Sequence, residues 1–144
     1  KTARGSVHEL LVACYKQKSD MKQDFAKFAN DIKVISDIGE LFESSDARNC
    51  NIIIKIKECK GYRNGIALYM KNALKDKEGG QELEEASMMF ESLGKMWDKL
   101  LKSLLKLLIV NRAEARMLDK IANNIIEIGQ LEEKTYQFCI SNLV

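Results

Sequence analysis

A row of apolar residues spaced by three and four positions runs through residues 81–110, and it constrains the fold more than any other feature of the chain. This spacing places every member on one side of an α-helix, where other helices are needed to cover the row. At 1.5 Å per residue, such a helix is about 45 Å long, which is typical of a helical bundle. The only tryptophan lies within the row, so we expect Trp97 to be a core residue. The row consists of Leu83, Ala86, Phe90, Leu93, Trp97, Leu100, Leu104 and Leu107.

The composition favours helices in the rest of the chain as well. The 144 residues include no proline and are rich in leucine, isoleucine, lysine and glutamate. These residues suit helices better than the turn-punctuated pattern of sheets. A chain of this length can bury a sizeable core as one unit. We therefore predict a single all-α domain over residues 1–144.

Amphipathic periodicity predicts an elongated antiparallel bundle of about five main helices, joined by short connections. Ser6 and Glu9 form a capping-box pattern that marks the start of the first helix. Gly39 predicts either a bend in the second helix or the close approach of a neighbour. Whether the third helix is interrupted at residues 61–65 is left open. The predicted helices begin after Ser6 and end near Lys18, span residues 21–42, run from the cap at residues 44–46 to the stop at residues 78–80 with residues 52–73 carrying the apolar face, span residues 81–110, and run from about residue 113 to 139.

The four cysteines, Cys14, Cys50, Cys59 and Cys139, form no CxxC pair, and the chain has a single histidine, so a zinc site is not expected. Two disulfides stapling the bundle are preferred over four buried free thiols. In a continuous helix Cys50 and Cys59 lie about 13 Å apart. That separation exceeds the roughly 4.4 to 6.8 Å that a disulfide tolerates. Each is therefore expected to pair with Cys14 or Cys139, in an order that stays open.

No arrangement of residues predicts catalysis, a metal site or a cofactor. His8 has no partner at the spacing of a catalytic triad or metal site, and the glutamates near residue 82 complement a helix N-terminus. No segment reaches the run of about 18 apolar residues that spans a membrane. The chain opens with KTARGS and lacks the apolar core of a signal peptide. We therefore expect either a cytosolic protein or a processed or truncated piece of a secreted one.

Basic residues concentrate in two tracts, although the net charge is only +2. Lysine outnumbers arginine and few aromatic residues are interleaved, so nucleic acid is not an expected partner. Each tract is either a solvated face or a partner-binding face. The first tract offers Lys55, Lys57, Lys60, Tyr62 and Arg63. The second offers Lys95, Lys99, Lys102 and Lys106, which step by four, three and four and so share one helical stripe.

Three stretches, HELLVACYKQK, SSDARNCNIIIKIKECKGYRNGIA and GGQELEEASMMFESLGKMWDKLL, resemble the C-terminal domain of the mosquito salivary antiplatelet family. The resemblance covers essentially the whole chain, with the four cysteines as its most checkable part. It implies a C-terminal fragment of a larger secreted protein, without the acidic Gly/Glu-rich region that precedes this domain in the family. No binding residue is transferred from the family to this chain.

The resemblance implies an extracellular protein that binds fibrillar collagen and masks the sites used by platelet receptors and von Willebrand factor. No enzymatic activity, cofactor or membrane insertion follows from it, and the oligomeric state is left open. Two other classes of protein function remain open from the sequence. One is a secreted four-helix signalling ligand of the cytokine type. The other is an intracellular helical adaptor with reduced thiols, or a bundle enclosing a small apolar ligand.

Overall fold

The computed structural model describes residues 21–75 and 80–143, and within these ranges all regular structure is helical. The all-α class is therefore confirmed. The described residues contain four main helices rather than about five, and the predicted first helix, residues 6–18, lies outside them together with Cys14. The helices are α1 (Met21–Lys33), α2 (Asn51–Lys75), α3 (Gln81–Val110) and α4 (Ala115–Asn142), with short 3-10 helices at Ile38–Glu40 and Ala47–Asn49.

The central helix α3 has the bounds that its apolar row predicts, and every member of the row is buried. Asn111 ends the helix in the left-handed conformation, with φ of 58°, and its N–H donates to the Leu107 carbonyl at 3.0 Å. Asparagine tolerates this conformation better than most residues. Trp97 is only 6% exposed, so its predicted place in the core is confirmed.

Helix α1 ends at Lys33, although its apolar periodicity continues to Phe42. Glu40 accepts hydrogen bonds from the backbone N–H groups of Ser36 and Asp37, at 2.8 and 3.0 Å, and this capping box starts a new 3-10 helix. Phe42 remains buried because the loop folds back onto the same core. The single helix predicted over residues 21–42 is therefore wrong, and Gly39 lies in the 3-10 helix beyond it.

Helix α2 continues through Gly61 and Gly65 without a break. Both positions are exposed, and a methyl group added at either would have no atom within 4 Å. The helix remains continuous despite its two glycines because it packs along its length against α3. At Gly94 of α3, an added methyl group would collide with the Asn64 side chain of α2.

The four helices pack in the order α2, α3, α4, α1, so that α3 and α4 lie at the centre. One core cluster surrounds Trp97 and includes residues of all four helices, and a second surrounds Phe90 and Tyr136. Helices α1 and α2 make no extensive contact with each other. No helix in the described part of the chain is long and apolar enough to cross a membrane.

A buried ion pair connects α2, α3 and α4 next to Trp97. Oε1 of Glu132 accepts hydrogen bonds from Arg63 Nε at 2.7 Å and from Trp97 Nε1 at 3.1 Å, and Nη2 of Arg63 lies 2.5 Å from the same oxygen. The Glu132 side chain is fully buried and that of Arg63 nearly so. Burial lowers the pKa of Arg63, but interactions with Glu132, Tyr136 and Cys59 together outweigh this effect and hold the pKa above its ordinary value. Arg63 therefore stays charged inside the bundle.

The prediction of two disulfides is wrong. Two bonds among four cysteines require at least one between two of Cys50, Cys59 and Cys139, and the structure has none. Cys50 instead donates its thiol hydrogen toward the Ser44 and Asp46 carbonyls and belongs to the Trp97 cluster. Cys139 lies in the other cluster, where burial raises the pKa of its thiol to about 12. Both thiols are thus held within separate parts of the core.

Replacement of Arg63 by methionine should destabilise the bundle by about 3 to 5 kcal/mol, because it leaves the Glu132 carboxylate buried without its charged partner. The double variant R63M/E132L should recover most of this loss, since an apolar pair removes both charges together. Urea unfolding followed by circular dichroism measures both effects. R48M serves as the control, because Arg48 forms an exposed ion pair with Asp46. If R63M/E132L is as unstable as R63M, the loss in R63M does not come from the unpaired Glu132 carboxylate.

Alanine at Gly65 should stabilise the protein by about 0.5 to 1 kcal/mol, because it lowers the entropy of the unfolded chain and fits the open helix surface. Alanine at Gly129 of α4 should destabilise it by about 1 to 3 kcal/mol, since the added methyl group would lie only 2.6 Å from the Phe25 Cβ atom of α1. The midpoint temperature of thermal unfolding shows whether each variant is more or less stable than the unmodified protein. A destabilising G65A would show that α2 is broken at residues 61–65.

Candidate functional site

The first basic tract does not form one surface. Two residues apart on a helix means about 200° of rotation, so Lys55 and Lys57, both exposed, point to different sides of α2. Lys60 is held by an ion pair with Asp98 at 2.8 Å. Tyr62 is 41% exposed, and its ring centroid lies 5.5 Å from the Arg63 guanidinium carbon. Arg63 itself is 5% exposed and paired with Glu132, so it is not available to a partner.

The second tract stays together on α3. Lys95, Lys99, Lys102 and Lys106 are all exposed, and they line one side of a groove between α3 and α4 with a volume of about 670 Å³. Lys120 of α4 adds a fifth lysine to this surface, which we call the lysine groove. Apolar atoms of Val110, Met117 and Ile121 complete the lining.

Ion pairing within the lysine groove is incomplete. Asp98 accepts Lys102 at 2.9 Å, and Lys95 lies 3.9 Å from Glu91. Lys99, Lys106 and Lys120 have no carboxylate within ion-pair distance among residues 21–75 and 80–143. Five lysines and one aspartate line the groove, an excess of four positive charges. Anionic groups are therefore attracted to it, most strongly at low salt.

Asp98 links the two basic tracts, because it also binds Lys60 of α2. Hydrogen bonds from Lys102 and then Lys60 hold the pKa of Asp98 below its ordinary value of 3.8. These pairs hold Lys102 in the groove and Lys60 beside it, while Lys99, Lys106 and Lys120 have no ion-pair partner in the described ranges. Sequence reasoning missed both Asp98 and Lys120. Lys120 enters the site only through the packing of α4 on α3, whereas Asp98 precedes Lys102 by four residues on α3, a local spacing that could have indicated the pair.

The chemistry of the lysine groove is that of a binding surface. Its lining includes Ser103 but no histidine or cysteine that could serve as a base or nucleophile beside it. Among the residues that the structure describes, no group of three or more histidine, cysteine, aspartate or glutamate side chains could hold a metal ion. No protein-family model, curated protein or solved structure matches this chain.

Replacement of Lys102 or Lys60 by alanine should move the pKa of Asp98 upward toward 3.8, with the larger effect at Lys102. Because the folded-state pKa is depressed, the stabilising contribution of Asp98 is present above the unfolded pKa and is lost as pH falls through the folded pKa. Carboxyl-carbon NMR titration between neutral and strongly acidic pH measures the shift. An Asp98 that titrates normally in the unmodified protein would contradict these ion pairs.

Proposed function

We propose that this chain is a secreted, non-enzymatic protein that binds fibrillar collagen through the lysine groove and masks the sites used by platelet receptors and von Willebrand factor. The resemblance of three sequence stretches supports the choice of partner. The observation that carries the choice of surface is the set of cations around an apolar lining, Lys99, Lys106 and Lys120, that have no ion-pair partner among the described residues.

The shape of the lysine groove suits a rod-like partner. Its lysines extend from Lys95 to Lys106, about 16 Å along the axis of α3. Collagen presents charged side chains at the X and Y positions of its repeats, so acidic groups along the rod can meet successive lysines. The long lysine stems and the apolar lining add contact area between these ion pairs.

The surface of α2 is a weaker candidate for the same role. Its lysines are spread around the helix, Lys60 is engaged by Asp98, and Arg63 is buried. Only Lys55, Lys57 and Tyr62 of that tract remain available to solvent, and the two lysines face different directions. The proposal therefore places the collagen contact on α3 and α4.

Charge reversal tests the proposed surface. K99E/K106E should weaken binding to immobilised fibrillar collagen by about tenfold, because it replaces attraction with repulsion at two unpaired positions. K57E/K75E makes the same change of charge on exposed positions of α2 and serves as the matched control. Surface plasmon resonance at about 0.1 M and about 1 M salt should show weaker binding at the higher concentration, where the Debye length falls to about 3 Å.

The outcomes separate the partner from the surface. If the unmodified chain does not bind collagen, the proposed function is wrong. If it binds but K99E/K106E and K57E/K75E behave alike while both remain folded, collagen is the partner and the lysine groove is not the contact. Gel electrophoresis of the exposed collagen should show intact chains, since the proposal includes no cleavage.

A further inference from the structure

A second cleft opens on the opposite side of the central helices, between α1 and α2. These two helices make no extensive contact, and the space between them is lined by Phe28 of α1, Ile52 and Ile56 of α2, and Trp97 of α3. Its volume is about 410 Å³, which lies within the range of about 300 to 1,000 Å³ usual for small-molecule sites. The lining is almost entirely apolar, so an occupant needs an apolar body.

The polar groups at the mouth of this cleft differ in their availability. The Glu43 carboxylate accepts the backbone N–H of Asn51 at 2.8 Å, which engages it at the start of α2. Lys55 stands one turn further along the helix and is exposed. Lys55 has no carboxylate within ion-pair distance in the described ranges. The mouth therefore carries one cation, Lys55, without an ion-pair partner in the described ranges, and one carboxylate, Glu43, that is hydrogen-bonded to the start of α2.

We propose that the cleft binds a small amphiphile with a single terminal carboxylate, of the fatty-acid class. The carboxylate meets Lys55 at the mouth, and the hydrocarbon chain packs against Phe28, Ile56 and Trp97. An apolar interior favours a hydrocarbon chain over a polar ligand, and a single cation at one end favours a single anionic head group. This site is separate from the lysine groove and does not depend on collagen binding.

The single tryptophan of the chain provides the readout, because Trp97 lines the cleft. Titration of the full chain with laurate, below the concentration at which laurate forms micelles, should change Trp97 fluorescence saturably. A laurate brominated at its terminal carbon should quench the emission more strongly, since a heavy atom quenches an indole only at contact. Dodecanol, which has the same chain length without the charge, should bind more weakly.

Charge reversal at the mouth tests the role of Lys55. K55E should raise the dissociation constant for laurate by about tenfold, whereas K57E, on another side of α2, should change it by less than about twofold. Binding of dodecanol should be unaffected by K55E, which separates loss of the ion pair from damage to the cleft. Circular dichroism confirms that each variant is folded.

Three results would overturn the proposal. These are a fluorescence titration without saturation, equal effects of K55E and K57E on laurate binding, and a brominated laurate that binds without quenching Trp97. The last result would place the ligand elsewhere on the protein. Saturable binding with strong quenching and a selective effect of K55E would establish the site.

Discussion

The buried carboxylate of Glu132 is the constraint on which the rest of the structure depends. Removal of a charge from water costs several kcal/mol unless donors replace the lost hydration. The donors here come from two other helices, Arg63 of α2 and Trp97 of α3. A bundle held by apolar contacts alone tolerates rotation and sliding of its helices, whereas this arrangement satisfies Oε1 in one register. The interaction of Glu132 with Arg63 and Trp97 therefore mainly selects one arrangement of the helices and adds little to the free energy of unfolding relative to an apolar core.

The rotation and position of α2 that bring Arg63 to Glu132 also determine where the polar side chains of α2 lie on the surface. With Arg63 turned inward and Asn64 against Gly94, Lys60 reaches Asp98 on the outside of α3. Lys55 then lies above the cleft between α1 and α2. Helix α1 packs chiefly on α4, where Phe25 needs the space left by Gly129. Because α1 packs on α4 and makes no extensive contact with α2, a cleft is left between α1 and α2.

The two candidate sites lie on different sides of the core and use different physical principles. The lysine groove attracts anionic groups over a distance, so its interactions are sensitive to salt. The cleft beside Trp97 excludes water from an apolar surface and adds one charge at its edge, so chain length should govern its affinity. The first suits an extended macromolecule and the second a small amphiphile. Each can be altered without touching the ion pair between Arg63 and Glu132.

The sequence by itself determined the helical class, the bounds of α3, the burial of Trp97 and the common face of the four lysines on α3. These follow from periodicity within one helix, which is a local property. Tertiary structure decided that Arg63 is buried, that Lys120 joins the lysine groove, that α1 ends at Lys33 and that the described cysteines are not joined to one another. Such outcomes depend on the rotation and register of neighbouring helices. Those are set by contacts between residues far apart in the chain, such as Arg63 and Glu132, which no local pattern encodes.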